Sequence, residues 1–370
     1  MSRAGEILIT GAAGFIGSNL TRALIERGHR VIGLDNLSMG SISNLDGLFE
    51  HPRFRLIKAD VTDLSAVLRA SHQCDTIVHL AAYKIPRYGG LLDTLRINEA
   101  GGRNVLDAAR QNGAHVVMAS TSDVYGKSDR LPFREDGPTV LGTSASARWG
   151  YAVSKLFDEH LAFAYHEAYG VNTTIIRIFG SYGPNQHLSW WGGPQSVFIS
   201  AILRGKPIEI HGDGRQTRTF CYISDTVQGF VSAIEREATQ CEIFNLGNTE
   251  EISIVDLATL IHSLSESPHK LELTYKPYAQ FKNRYEDVMR RVPDISKAER
   301  ILNYKPKVSL RDGLLKTIKW QRRRMLAHGL LDPQEASKLT DRTWASIPEH
   351  HATRALERDK SAAAGGHRHR

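Results

Sequence analysis

Two side chains with complementary acid–base chemistry share one short segment, Tyr151-Ala-Val-Ser-Lys155. On a helix this Y-x-x-x-K spacing puts the phenol and the ammonium on one face, a turn apart. An ammonium beside a phenol lowers its pKa electrostatically and makes a phenolate available as a general base near neutral pH. Upstream, Ser120-Thr121-Ser122-Asp123-Val124-Tyr125-Gly126 ends a run that reads as a strand. At that strand's carboxyl edge the Thr121 hydroxyl can share a substrate proton with Tyr151, and Ser122 and Asp123 follow it directly.

A second segment suits phosphate chemistry. Thr10-Gly11-Ala12-Ala13-Gly14-Phe15-Ile16-Gly17 lies between a β-type run and a helical run, with glycines spaced G-x-x-G-x-x-G. Gly11 allows a tight turn, Gly14 lets the backbone approach a pyrophosphate, and Gly17 lets the helix pack closely on the sheet. Phe15 and Ile16 lead into a helix whose N-terminus presents unpaired N–H groups and a positive dipole end to the phosphates. Asp35 ends the next apolar run about 20 residues on, where a carboxylate accepts the ribose hydroxyls of an adenosine. Such a carboxylate repels a 2′-phosphate, which favours NAD over NADP; the plainer reading is a turn cap made with Asn36. Asp60-Val61, at the end of the third run, would lie near the adenine.

Elements must hold these groups in place, and the first half of the chain supplies them in alternation. Ile7–Thr10, Arg30–Leu34, Arg53–Lys58, Thr76–Leu80, His115–Ser120 and Thr173–Ile178 read as strands; Gly17–Arg27, Leu64–Ser71, Ile97–Gln111 and Tyr151–Tyr169 read as helices. Such alternation predicts an α/β fold, a Rossmann-type doubly wound parallel sheet covered on both faces. After Phe179 the pattern shifts to Gly- and Pro-punctuated loops and shorter elements, which predicts a smaller α/β C-terminal substrate lobe. The expected division is 1–180 for the NAD-binding domain with the catalytic Thr, Tyr and Lys, 181–328 for the substrate lobe, and 329–370 for a mobile basic tail with little core to bury.

Composition narrows the field. With 370 residues, 41% hydrophobic and 24% charged, the chain has the make-up of a globular protein, and no run approaches the ~20 apolar residues of a membrane span. Three cysteines, Cys74, Cys221 and Cys241, lack metal-type spacing and suit free thiols in a reducing compartment, with the cytoplasm as the expected location. The net charge of +7 has no basic patch interleaved with aromatics, so an acidic small-molecule substrate or a basic tail, rather than nucleic-acid binding, is its expected meaning. His79, His115 and His160 share no ligand spacing, and no metal is expected.

Taken together, the glycine motif, Asp35, the Ser-Thr-x-x-x-Tyr-Gly segment and Y-x-x-x-K resemble the extended short-chain dehydrogenase/reductase family of nucleotide-sugar epimerases, dehydratases and decarboxylases, over roughly residues 6–325. The resemblance implies NAD as cofactor, with Leu80-Ala81-Ala82 flanking it, Lys84 near its phosphates and Asn98 behind the nicotinamide. It also implies a nucleotide-diphosphate sugar as substrate, with Arg218 of His211-Gly-Asp-Gly-Arg-Gln-Thr-Arg218 and the late residues Arg284, Asp287 and Arg291 binding phosphate and ribose. Arginine forks suit diphosphate oxygens better than lysine point charges. One departure falls at Arg177-Ile-Phe-Gly180-Ser181-Tyr-Gly-Pro184, where relatives carry a substrate-contacting asparagine in place of Gly180; Ser181 or backbone N–H groups are expected to take over. Adjacent Trp190 and Trp191 suit a sugar or base pocket, or equally lobe packing. A homodimer through a four-helix bundle is a further implication.

By resemblance, the reactions of this family all begin with oxidation at C4 and diverge afterwards. Dehydratases carry Thr-Asp-Glu where this chain has Thr121-Ser122-Asp123, which argues against dehydration. Decarboxylases of UDP-glucuronate carry Thr-Ser-Glu, and some share a Y-x-D-x-x-x-R-x-P stretch similar to Tyr285 through Pro293 and an Ala-Arg ahead of the tyrosine, here Ala147-Arg148. Asp123 is a methylene shorter than that glutamate, a shortfall of about 1.5 Å, enough to disturb a positioned proton transfer. A 4-epimerase working through a transient 4-ketone is therefore ranked first, a UDP-glucuronate decarboxylase second, and a non-catalytic NAD-binding scaffold last.

Overall fold

The computed structural model describes residues 5–84, 90–236, 239–281 and 286–332. Its centre is a parallel sheet of seven strands: β1 (Glu6–Thr10), β2 (Arg30–Asp35), β3 (Phe54–Lys58), β4 (Thr76–His79), β5 (His115–Thr121), β6 (Thr173–Ile178) and β7 (Glu242–Leu246). Their spatial order is β3-β2-β1-β4-β5-β6-β7, so the expected doubly wound Rossmann sheet is what the chain builds.

The strands read as unbroken apolar runs because both faces are covered. Ile7 and Ile9 of β1 point into one hydrophobic cluster while Leu8 points into the other, the two-residue period of a strand. On the Leu8 side lie α2 (Leu64–Ser71), α3 (Leu91–Asn112) and α4 (Gly150–Tyr169), which bury Val67, Val105 and Ala162 there. Opposite them are α1 (Phe15–Glu26) and α6 (Ile223–Glu235), and the cluster continues without interruption into α5 (Pro194–Leu203), α7 (Ile254–Ser265) and α9 (Leu310–Ala327) through Phe198, Ile261 and Ile318. One core therefore joins the sheet to the later helices.

Two elements depart from the sequence reading. The helix expected from Ile97 begins at Leu91, behind Gly90 in a left-handed conformation; its first turns carry exposed Leu92 and Leu95, which blur the amphipathic period. The seventh strand comes from Glu242–Leu246, far beyond Phe179, pairing Phe244 with Ile176. Its Asn245 is fully buried yet satisfied: the side-chain oxygen accepts from Tyr125 Oη at 2.7 Å and the amide nitrogen donates to the carbonyls of Phe133 and Asp294.

Strand register sets the location of the chemistry. Thr10 pairs with His79 and Leu34, and Thr121 with Ile178, so the loops after β1, β2, β4, β5 and β6 all leave the same edge. The chain reverses direction across the sheet between β1 and β4, and ligands bind outside the carboxyl ends of strands at such a switch point.

Candidate active site

A cleft of about 750 Å³ opens at that edge, lined by Gly11, Gly14, Asp35, Thr121, Tyr151 and Lys155 among others. Its floor is the glycine loop. Gly11 has φ +73°, and a Cβ there would lie 2.8 Å from the Ala81 nitrogen; at Gly17 a Cβ would lie 2.1 Å from the Gly11 carbonyl. Gly14 is the N-cap of α1, which carries no acidic residue in its first turn, so Phe15, Ile16 and Gly17 leave an uncovered, positive helix end facing the cleft. Asp35 is buried, and its two oxygens accept from the backbone N–H of Ala13 at 2.9 Å and Leu37 at 2.8 Å. Burial raises its pKa against those two bonds. Asn36 donates to Asp60 at 2.7 Å, and Asp60 and Val61 form the adjoining wall. Leu80, Ala81 and Ala82 line the opposite side.

Asn98 does not reach the cleft. Its side chain is buried and holds the Tyr83 backbone through both amide groups and Ser154 Oγ at 2.9 Å, fixing the end of β4 against α4. A further tie comes from Arg177 of β6, whose buried guanidinium bonds Glu159 of α4 at 2.7 Å. These contacts orient the helix that carries Tyr151 and Lys155.

Both catalytic candidates line the cleft from the first turns of α4, and Thr121 faces them from the end of β5. The Thr121 hydroxyl caps the following turn, accepting from the Asp123 N–H at 3.2 Å. The expected lowering of the Tyr151 phenol by Lys155 is not what the structure shows. Enclosure by the cleft pushes the phenol up, and the charges of Asp123 and Asp158 push it further. Lys155 Nζ is paired with Asp158 at 2.7 Å. Behind them His79, bonded to Thr10 Oγ1 at 2.9 Å, is driven down to about 3 by burial and the Lys155 charge, so it stays neutral.

The substrate side is dominated by ion pairs. Asp123 Oδ1 accepts from Arg291 at 2.8 Å and from Arg148 at 3.1 Å, and Arg291 also reaches Ser122 Oγ at 3.3 Å. Burial pulls the Arg291 guanidinium to about 10 against the attraction of Asp123, which leaves it charged at neutral pH. Arg218 pairs with Asp287 at 2.8 Å, and Tyr278 donates to the same carboxylate. Burial disfavours the Asp287 charge, but Arg218, Arg148 and Arg291 outweigh it and hold its pKa below the ordinary carboxylate value. These groups line a side cavity of about 210 Å³ with Gly180, Trp190 and His211. Trp190 stacks on His211 with centroids 4.5 Å apart, and Trp191 meets Tyr83 edge-on at 5.2 Å. Ser181 lines the main cleft, its hydroxyl paired with Thr226. Lys84 faces the same space, and loss of water brings its ammonium down to about 8 despite Asp123. Arg284 lies outside the described residues.

The GDP-mannose 4,6 dehydratase family matches residues 8–317. The chain belongs to that family. It is 35% identical over 318 residues to a UDP-N-acetyl-α-D-glucosaminuronate decarboxylase of Bacillus cytotoxicus, covering 85% of this chain and 97% of that one. It is 38% identical to UDP-glucuronic acid decarboxylase 1 of Arabidopsis thaliana, over 87% of this chain and 71% of the relative. Among solved structures it is similar to UDP-glucuronic acid 4-epimerase from Bacillus cereus in complex with UDP-glucuronic acid and NAD, with a TM-score of 0.77, 30% identity, and coverage of 86% and 99%. This member of the GDP-mannose 4,6 dehydratase family is thus an enzyme of the nucleotide-sugar epimerase, dehydratase and decarboxylase group.

Sequence reasoning left three things out of the site. Arg148 appeared only as part of an Ala-Arg motif, and its pairing with Asp123 depends on a fold that brings two separate loops together. Trp320 and Arg324 on one face of α9 and His328, which caps its C-terminus, line the cleft, a spacing of i, i+4, i+8 that a search for that period could have found. Asp158 lies beside Lys155 in the sequence, where its acidic type three residues on was the only signal.

Proposed function

We propose that this enzyme is an NAD-dependent decarboxylase of UDP-hexuronic acids. The observation that carries the reading is the convergence of Arg148 and Arg291 on Asp123 beside Ser122 and within reach of the catalytic cleft. Arg148, Arg218 and Arg291 against Asp123 and Asp287 leave one net positive charge, which suits an anionic substrate. The names of the decarboxylase relatives support the same reading.

The glycine cradle, with no room for a side chain at Gly11 or Gly17, and the Asp35 carboxylate fit an NAD dinucleotide, held further by Asp60, Leu80 and Lys84. When bound, NAD supplies reversible uptake of a hydride from C4 of the sugar. Tyr151 takes the O4 proton, with the Thr121 hydroxyl bridging, so that C4 becomes a ketone. The C6 carboxylate is then β to that ketone. The C5–C6 bond breaks, its electron pair flows into an enolate held by the protonated Tyr151, and carbon dioxide leaves. A proton from water then enters at C5, on the side where Ser122, Asp123 and Arg291 are gathered, and Tyr151 returns its proton to O4 as the hydride goes back to C4, so that the product would be a UDP-pentose with NAD left oxidised.

A second reading, 4-epimerisation, is favoured by the short Asp123 side chain and by resemblance to the uronate epimerase. Incubation with UDP-glucuronate and UDP-N-acetylglucosaminuronate, followed by NMR of the sugar and measurement of released carbon dioxide, separates the two. Decarboxylation predicts stoichiometric carbon dioxide and a UDP-pentose; catalytic formation of the 4-epimer without carbon dioxide overturns it. The exposed apolar strip of α3 and α4 supports a homodimer that pairs two helices from each protomer.

A further inference from the structure

Asp158 takes no part in the chemistry just described, yet it touches its centre. Its Oδ2 accepts from Lys155 Nζ at 2.7 Å, with the two side chains 0% and 2% exposed. Its other oxygen, Oδ1, is buried without a hydrogen-bond partner among the described residues. Room for that carboxylate is made by α3, where a Cβ at Gly102 would lie 2.5 Å from Oδ1. A carboxylate so placed is costly unless a cation is held against it, and breaking one half of such a pair is costlier still. The other charged and titratable groups facing the pair are His79 from β4, Glu99 from α3, Glu159 on the same helix and the Tyr151 phenol, which Asp123 from the turn after β5 also faces. His79 is neutral, so it adds no positive charge there.

We propose that Asp158 is a positioning residue for proton transfer: it holds the Lys155 ammonium at the inner end of the cleft and, by offsetting its charge, sets the pH at which Tyr151 acts as a base. This rests on the reading of Tyr151 as that base. The ammonium has three N–H donors, and one is committed to Asp158, which fixes where the others point. The negative charge of Asp158 opposes ionisation of the Tyr151 phenol, an effect of the same sign as masking the lysine.

Asp158→Asn keeps the volume and removes the charge. In the NAD-bound protein the acidic limb of log kcat/KM against pH is expected to move down by about one pH unit, because the phenol ionises more readily. The same shift is expected in the tyrosinate absorbance of the holoenzyme, with Tyr151→Phe as the blank, a readout that needs no turnover. NAD affinity, followed by protein fluorescence, should stay within about twofold. If the variant does not fold, Asp158→Ser provides the same two readouts. A Tyr151 titration at its wild-type position overturns the proposal, even if turnover falls, and leaves Asp158 a structural role. Absence of turnover on any nucleotide sugar, with a shifted tyrosinate curve, would instead count against the function reading alone.

Discussion

At the scale of single residues, the decisive contact is the one between Asp123 and two arginines. A glutamate at this place would carry the carboxylate about 1.5 Å further, and here Arg148 and Arg291 grip the shorter side chain where it ends. Asp123→Glu is therefore expected to lower kcat on a UDP-hexuronate by no more than about tenfold, while Asp123→Ala, which leaves two buried guanidinium groups facing each other, should lower it by about a hundredfold or more. Steady-state kinetics on both variants checks this, and equal activity in the alanine variant would remove Asp123 from the reaction. That Tyr151 and Lys155 share a helix face at the cleft was legible once their spacing was read together with the glycine motif and the Ser120–Gly126 segment, because four residues on a helix fix their own geometry. Nothing local announces that Asp123, Arg148 and Arg291 meet, since the three come from a turn after β5, the short turn Ala147–Trp149 ahead of α4 and the stretch before α8 (Ser296–Leu302).

Among the elements, the junction of β1 with α1 was readable almost atom by atom. Glycine is required at Gly11 and Gly17, where the helix start touches the loop before it, and Gly17 sits so close to the Gly11 carbonyl that a methyl group has no place. Gly17→Ala should therefore either push α1 away from the loop or destabilise it, and weaken NAD binding by about tenfold or more in a direct titration. β7 was not readable. Glu242-Ile-Phe-Asn-Leu246 has a polar residue inside the run, and only the folded chain shows that Asn245 satisfies three buried partners. Element packing also sets a pH dependence. His115 at the start of β5 is brought down to about 4 by burial, and His79 at the end of β4 to about 3. An unfolded histidine titrates near 6.5, so the unfolded state binds more protons below that pH. Stability from these groups is complete above about pH 6.5 and is lost as pH falls towards their folded values, each contributing up to about 1.4 kcal/mol per pH unit. His115→Gln, which keeps a donor for Thr174, should flatten the fall in unfolding midpoint between pH 6.5 and 5; an unchanged slope would exclude His115 as a source.

For the molecule as a whole, hydrophobic clusters pack both faces of the sheet, but the outer face of α3 and α4 is left with apolar side chains in water. Leu92 is 58% exposed, Leu95 37%, Val153 45% and Phe157 47%, and their spacings, i, i+3 on α3 and i, i+4 on α4, put each pair on one helix face. Large apolar side chains gathered on one surface mark an interaction site more often than chance exposure does. Pairing the two helices with those of a second copy would bury the strip around a two-fold axis, each copy presenting the same residues to the other. Because Phe157 is already half-exposed in the single chain, Phe157→Asp should leave the fold and its unfolding temperature nearly unchanged while placing a charge at the centre of the strip. Light scattering on the wild type at micromolar concentration is expected to give twice the chain mass, and on Phe157→Asp the mass of one chain. α4 also carries Tyr151 and Lys155, so the variant should lose activity by less than about tenfold if the dimer only braces that helix, and a wild type that runs as a single chain would leave the strip without a second copy to cover it.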